Sequence, residues 1–246
     1  MNPLLLLAAT AAAPDLTICA DRPSKANGTC TVPVGHWQLE ASAVDWTHSP
    51  DTDMTSTGQS FLKLGLSGSS DIEVGFTPFV SIRQPGPDAS GAGDVVVRYK
   101  QSVTGDDAPV QVTLLPFVKL PTAKHSIGNG KVEAGLAVPI AIPAGAITVT
   151  LGPEVDALVD ADGHGYPAAI TNLVNLGWSA TPKLSLSAEL WNDTDFDPDG
   201  TVRQWSADAS AAYLVSKRTQ LDAGANLGLN RQAPDIELYG GVSVLF

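Results

Sequence analysis

Hydrophobic and polar positions alternate along most of the chain. Trp37, Leu39, Ala41 and Ala43 stand against Gln38, Glu40 and Ser42, the two-residue period of a strand whose faces meet different surroundings. After a polar loop the rhythm returns over residues 62–66 against Lys63, over 72–82 against Glu73, and over 95–99 against Arg98. It continues through 110–118, 132–140 and 147–155, weakens over 168–180, and recovers over 184–190, 202–214 and 221–229. The last stretch, 236–246, sets Ile236, Leu238, Val242, Val244 and Phe246 against Glu237, Tyr239 and Ser243. This makes twelve segments, most of about ten residues, the length a tilted strand needs to cross a bilayer.

Connection lengths alternate as well. Those after even-numbered segments are short (67–71, 104–108, 143–145, 181–183, 216–218), and those after odd-numbered ones are mostly longer and rich in Asp, Gly and Pro. Short periplasmic turns opposite long extracellular loops are the pattern of an outer-membrane barrel. The expected fold is therefore all-β: a closed antiparallel transmembrane β-barrel of twelve strands over residues 36–246. Trp37, Trp46, Phe61, Trp178, Trp191, Trp205, Tyr213 and Phe246 fall near segment ends, where two interfacial girdles would place them. Residues 134–153 are uncharged over a helix-like length, but Pro139, Pro143 and Gly145 favour two strands. Pro78, Pro116, Pro139 and Pro153 sit awkwardly in a barrel without edges and suggest bulges.

Composition narrows the class. A net charge of −12 leaves no basic patch for nucleic acid, and a mean hydropathy of +0.08 is too low for a helical membrane protein. Residues 1–13 read as a signal peptide with Ala9-Thr10-Ala11 or Ala11-Ala12-Ala13 at the cleavage site, although no Lys or Arg precedes the apolar run. That implies export through the periplasm to the outer membrane of a Gram-negative bacterium. Residues 14–35, rich in Pro, Asn and Gly, read as an N-terminal periplasmic segment. Its Cys19 and Cys30 are the only cysteines, and an oxidising compartment favours a disulfide between them over lipid attachment at Cys19.

Tyr239-x-Gly241-x-x-Val244-x-Phe246 resembles the C-terminal assembly signal read by the bacterial barrel-assembly machinery. Further motifs stand in order: Cys19-Ala20-Asp21-Arg22-Pro23, Cys30-Thr31-Val32-Pro33, Gly35-His36-Trp37-Gln38-Leu39-Glu40, Gly93-Asp94 through Arg98-Tyr99-Lys100, Pro116-Phe117-Val118-Lys119-Leu120-Pro121 and Gly130-Lys131-Val132-Glu133. Together they resemble the outer-membrane β-barrel transporter family named for a proposed role in the phenol-degradation meta-pathway. The resemblance implies a single-chain barrel with a pore-like role, with aromatic or hydrophobic compounds as the solute class its label suggests.

The polar faces carry Lys63, Arg98, Lys100 and Lys119 on segments two to five. Glu133, Glu154, Asp156, Glu189, Asp208, Asp222 and Glu237 follow on later segments, while Glu40 and Glu73 sit among the basic ones. Opposed charges across a pore create a transverse field that selects solutes; the alternative is a set of ion-pair ladders that fill the barrel. The four histidines are scattered and no Gly-x-Ser-x-Gly motif occurs, so an outer-membrane hydrolase is disfavoured. Asp195, Asp197 and Asp199 resemble the opening of a calcium loop, but Ser206 stands where the bidentate Glu is needed, so a solvated acidic loop without metal is expected. The reading is a cofactor-free channel for passive passage of small solutes, in contact with outer-membrane lipid and lipopolysaccharide. The competing classes are a structural or adhesive barrel and a secreted β-sandwich binding module.

Overall fold

The structure is a computed structural model that describes residues 16–105, 107–160 and 162–246. The expected signal peptide, residues 1–13, lies outside the described residues. Seventeen antiparallel strand segments join in one sheet that closes on itself. Five of them continue a neighbour across a short break, so the ring has twelve strands: β1 (Trp37–Ser49), β2 (Thr52–Thr57 and Ser60–Ser67), β3 (Ser70–Phe76 and Phe79–Arg83), β4 (Ala89–Gly91 and Val95–Ser102), β5 (Gln111–Leu120), β6 (Glu133–Ala137 and Ile140–Ala144), β7 (Ile147–Leu151 and Glu154–Ala157), β8 (Ala168–Ser179), β9 (Leu184–Asp195), β10 (Val202–Ser216), β11 (Thr219–Gly228) and β12 (Ile236–Leu245). Closure is made by β1 and β12, paired from Gln38↔Leu245 to His48↔Ile236.

Burial is inverted relative to a water-soluble domain. Along β3, Asp71 and Glu73 are buried while Ile72, Val74 and Phe76 are exposed; along β11, Gln220 and Asp222 are buried while Leu221 and Leu227 are exposed. A polar interior with an apolar outer surface is stable only where hydrocarbon replaces water on the outside. The exposed rings of Trp37, Trp178, Tyr213 and Phe246 collect at the short-turn end, with exposed Trp205 and half-buried Trp46 toward the other. Phe61 and Trp191 depart from the expected girdles and turn inward. Each lies two residues from a luminal charge, Lys63 and Glu189, so strand parity places it inside.

The prolines do not mark bulges. Across the break at Pro139 the register of β5 with β6 holds from Leu115↔Ala137 to Ile140↔Val112. Pro139 and Pro153 forfeit their own N–H, but their carbonyls accept from Thr113 N–H (3.0 Å) and Val138 N–H (2.9 Å). Each proline costs one ladder bond and no register. The register shifts of the ring lie elsewhere: in β1 between Ser42 and Val44, in β2 between Gly65 and Ser67, and in β10 between Leu214 and Ser216. The polar loop expected after the first segment is also strand, because β1 runs to Ser49 and β2 begins at Thr52. Both faces of this hairpin end are polar, as in the His48 Nδ1–Asp53 Oδ1 pair at 2.8 Å, so it carries no two-residue period.

Candidate functional site

The described part of the segment set apart above as periplasmic, residues 16–35, folds into the lumen from the short-turn end. Its side chains and backbone are bound by strands on opposite sides of the ring, which is possible only from inside. Cys19 and Cys30 form a disulfide with their Cα atoms 5.9 Å apart, so the inserted arm is a closed loop. Gln38 of β1 brackets Cys19, accepting from its N–H at 3.0 Å and donating to its carbonyl at 2.6 Å.

Three charged side chains of the arm carry it further. The Asp21 carboxylate meets Lys63 Nζ at 2.5 Å and Lys100 Nζ at 2.6 Å, while the backbone N–H groups of Asp21 and Arg22 donate to the Glu40 carboxylate. Burial alone would raise the Asp21 carboxyl; Lys100 and Lys63 outweigh it and hold the group well below the usual carboxylate range. Arg22 turns the other way around the ring, toward the seam, reaching Asp222 of β11 at 2.6 Å and Ser42 Oγ of β1 at 2.5 Å. Lys25, deepest, meets Asp208 at 3.0 Å and Ser206 Oγ at 2.8 Å and lies 4.2 Å from the centre of the Trp191 ring. On the return, Thr29 bonds Gln111 and Thr113, Val32 N–H donates to Asp71, and Val34 bridges Gly65.

Above the arm, toward the long loops, the lumen holds a cavity of about 410 Å³. Arg22, Pro23 and Lys25 form its floor; Arg98, Glu154, Glu237, Asp45 and Tyr239 are among its polar walls. Phe61, Ala137, Pro139, Leu173 and Trp191 give it an apolar strip. Arg98 lies over the Phe61 ring at 4.0 Å and its Nε–H has no hydrogen-bond partner. Glycines let two of the lining side chains take their places: a Cβ on Gly152 would collide with Leu173, and one on Gly224 with the Tyr239 ring.

The sequence-derived candidates separate into groups. Lys63 and Lys100 are spent on the arm, as are Glu189, Asp208 and Asp222, with Glu189 accepting from Ala26 N–H at 3.1 Å. Lys119 is neutralised by Glu133 at 2.8 Å and Asp94 at 3.4 Å. Arg98, Glu154 and Glu237 line the open cavity, and Asp156 is buried near Glu154. Of the four C-terminal residues, Tyr239 lines the cavity and Gly241 faces Arg22, whereas Val244 and Phe246 share the outward parity. Asp195, Asp197 and Asp199 do not converge: Asp197 caps the turn through Asp199 N–H at 2.7 Å, and no metal-holding group of His, Cys, Asp or Glu occurs among the described residues. The arm's own Asp21, Arg22 and Lys25 were missed as site residues. Three charges in an otherwise uncharged cysteine loop, beside a barrel of complementary sign, were the available signal.

A closed twelve-stranded ring with an apolar exterior, a charged lumen and a luminal cavity defines an outer-membrane-type channel barrel. The sequence matches the family described as "Putative MetA-pathway of phenol degradation" over residues 20–246, and the chain belongs to that family. A search of curated proteins gave no significant match. Among solved structures, the NanC porin in its rhombohedral crystal form is similar at 9% identity and a TM-score of 0.59, covering 84% of this chain and 98% of that one. The beta domain of the Bordetella autotransporter BrkA is similar at 13% identity and a TM-score of 0.51, covering 85% and 98%. At these identities the likeness is one of fold.

Proposed function

We propose that this protein is an outer-membrane channel for passive passage of small solutes, closed at its short-turn end by the N-terminal arm. The carrying observation is the cavity of about 410 Å³, lined by charged and apolar groups and floored by the arm rather than by the barrel wall. Solute enters from the long-loop side and passes when the arm withdraws. The strip of Phe61, Pro139, Leu173 and Trp191 beside Arg98 supports solutes with aromatic or hydrophobic surface, in line with the family's description. The outer face sits in lipid and lipopolysaccharide after insertion by the barrel-assembly machinery.

A second reading, a structural or adhesive barrel, is favoured by one observation: the arm is held by ion pairs to several strands around the ring and plugs the short-turn end of the lumen. Planar-bilayer recording separates the two. The full chain should conduct little, and Arg22→Gln with Lys25→Gln should raise conductance by releasing the arm. A folded double variant that conducts no more than the parent, with no flux of aromatic solutes, would favour the structural barrel.

A further inference from the structure

The place where Lys25 ends has the composition of an ammonium receptor. Its Nζ is held by a carboxylate, Asp208, and a hydroxyl, Ser206, under the face of an indole, Trp191. Carboxylate, hydroxyl and aromatic face are the three groups that replace the water shell of an ammonium ion. Glu189 stands directly across from Asp208 on the neighbouring strand and adds a second carboxylate. Both side chains are more than nine-tenths buried, and Glu189 Oε1 and Asp208 Oδ1 have no hydrogen-bond partner. The acceptors therefore outnumber what one lysine can satisfy.

There is also room beside the lysine. Lys25 and Trp191 line both the main cavity and a second one of about 120 Å³, which reaches Glu237 and Asn226, whose Oδ1 is likewise without a partner. A ligand can approach the indole from the lumen while the barrel wall stays intact. Because Lys25 belongs to an inserted arm and not to a strand, it can leave without breaking the sheet.

We propose that Asp208, Glu189, Ser206 and the face of Trp191 form a binding site for organic ammonium ligands, which the arm's own Lys25 fills while the lumen is closed. Binding of such a ligand and seating of the arm are then mutually exclusive, and each weakens the other. The proposal names a ligand class for the channel and rests on that reading only for the claim that the ligand arrives through the lumen.

The test uses the full chain with its disulfide intact, folded in an uncharged detergent and titrated with spermine. Binding is read by tryptophan fluorescence, with Trp191→Phe identifying the reporter. Lys25→Gln removes the internal competitor and should tighten apparent spermine affinity about tenfold, equivalent to about 1.4 kcal/mol of competition. Adding Asp208→Asn to Lys25→Gln should abolish that gain; Glu189→Gln in the same background serves if the first pair does not fold. Unchanged affinity in Lys25→Gln, or affinity in the folded double variant equal to that of Lys25→Gln, would overturn the site. Binding is read at equilibrium without transport. A barrel that binds spermine but never conducts refutes the channel and keeps the site, and a conducting barrel blind to spermine does the reverse.

Discussion

Asp21→Asn isolates the strongest anchor of the arm. Lys100 is 1% exposed at its side chain and its ion pair is with Asp21, whereas Lys63, 2% exposed, also has Glu40 and Glu73. Removing one partner of a buried pair costs about 3–5 kcal/mol, because the other charge is left without compensation. The asparagine carbonyl still accepts one hydrogen bond, so the lower end, about 3 kcal/mol, applies. That is roughly a hundredfold in the ratio of seated to withdrawn arm. Trypsin reports the ratio directly: the Lys25–Ala26 bond is hidden while Lys25 contacts Asp208 and Trp191, and Pro23 protects the bond after Arg22. When opening and reclosing are fast, cleavage follows the population of the open form, so the variant should be cut about a hundredfold faster. The disulfide spans the cut, and the fragments separate only after reduction. Equal cleavage rates in two barrels with the same heat-modifiable migration would refute the assignment of Asp21 as anchor.

The other expectations test separate parts of the arrangement. Since the Asp21 carboxyl is held below its usual range in the seated arm, its contribution is complete above the ordinary carboxylate pKa and is lost as pH falls through the lowered one; tryptic protection at Lys25, read with an acid-stable protease in the lower range, should hold from pH 8 to about 5 and fall only below about pH 4. Gly65→Ala would drive a Cβ into the carbonyl oxygens of Val32 and Pro33 and should unseat the arm while the barrel still forms, seen as cleavage at Lys25 with unchanged heat-modifiability. Reversal potentials in a salt gradient should shift toward cations in Arg98→Gln and toward anions in Glu154→Gln, since both line the open cavity; Lys100→Gln should change arm seating more than selectivity.

The strands were legible because each lies between lipid and a polar lumen, and that contrast writes itself into every second residue. It fails where the contrast is absent. Thr52–Thr57 is polar on both faces, and the assignment there to loop rested on the missing apolar rows. The prolines were misjudged for a different reason: a missing N–H removes one ladder bond, but the register survives where the proline carbonyl keeps its partner on the neighbouring strand. The luminal side chains could be named by parity, but their employment could not. Lys100 and Arg98 share one face of one strand, yet one is buried against Asp21 and the other lines the cavity. The difference is made by an arm whose partner Asp222 lies two hundred residues from Arg22, and no local pattern spans that distance.

The placing of the arm's contacts around the ring bears on how the molecule is put together. Gln38 and Glu40 belong to the first strand, and Gln220 and Asp222 to the eleventh, so the arm binds on both flanks of the seam between β1 and β12. In an unsealed sheet these two groups of residues are far apart, and the arm can satisfy only one of them. The first part of the described chain thus becomes the last to settle, and what it gains on settling is available only to a molecule whose ends have already met. It works as a clasp, favouring the sealed cylinder over every partly zipped form.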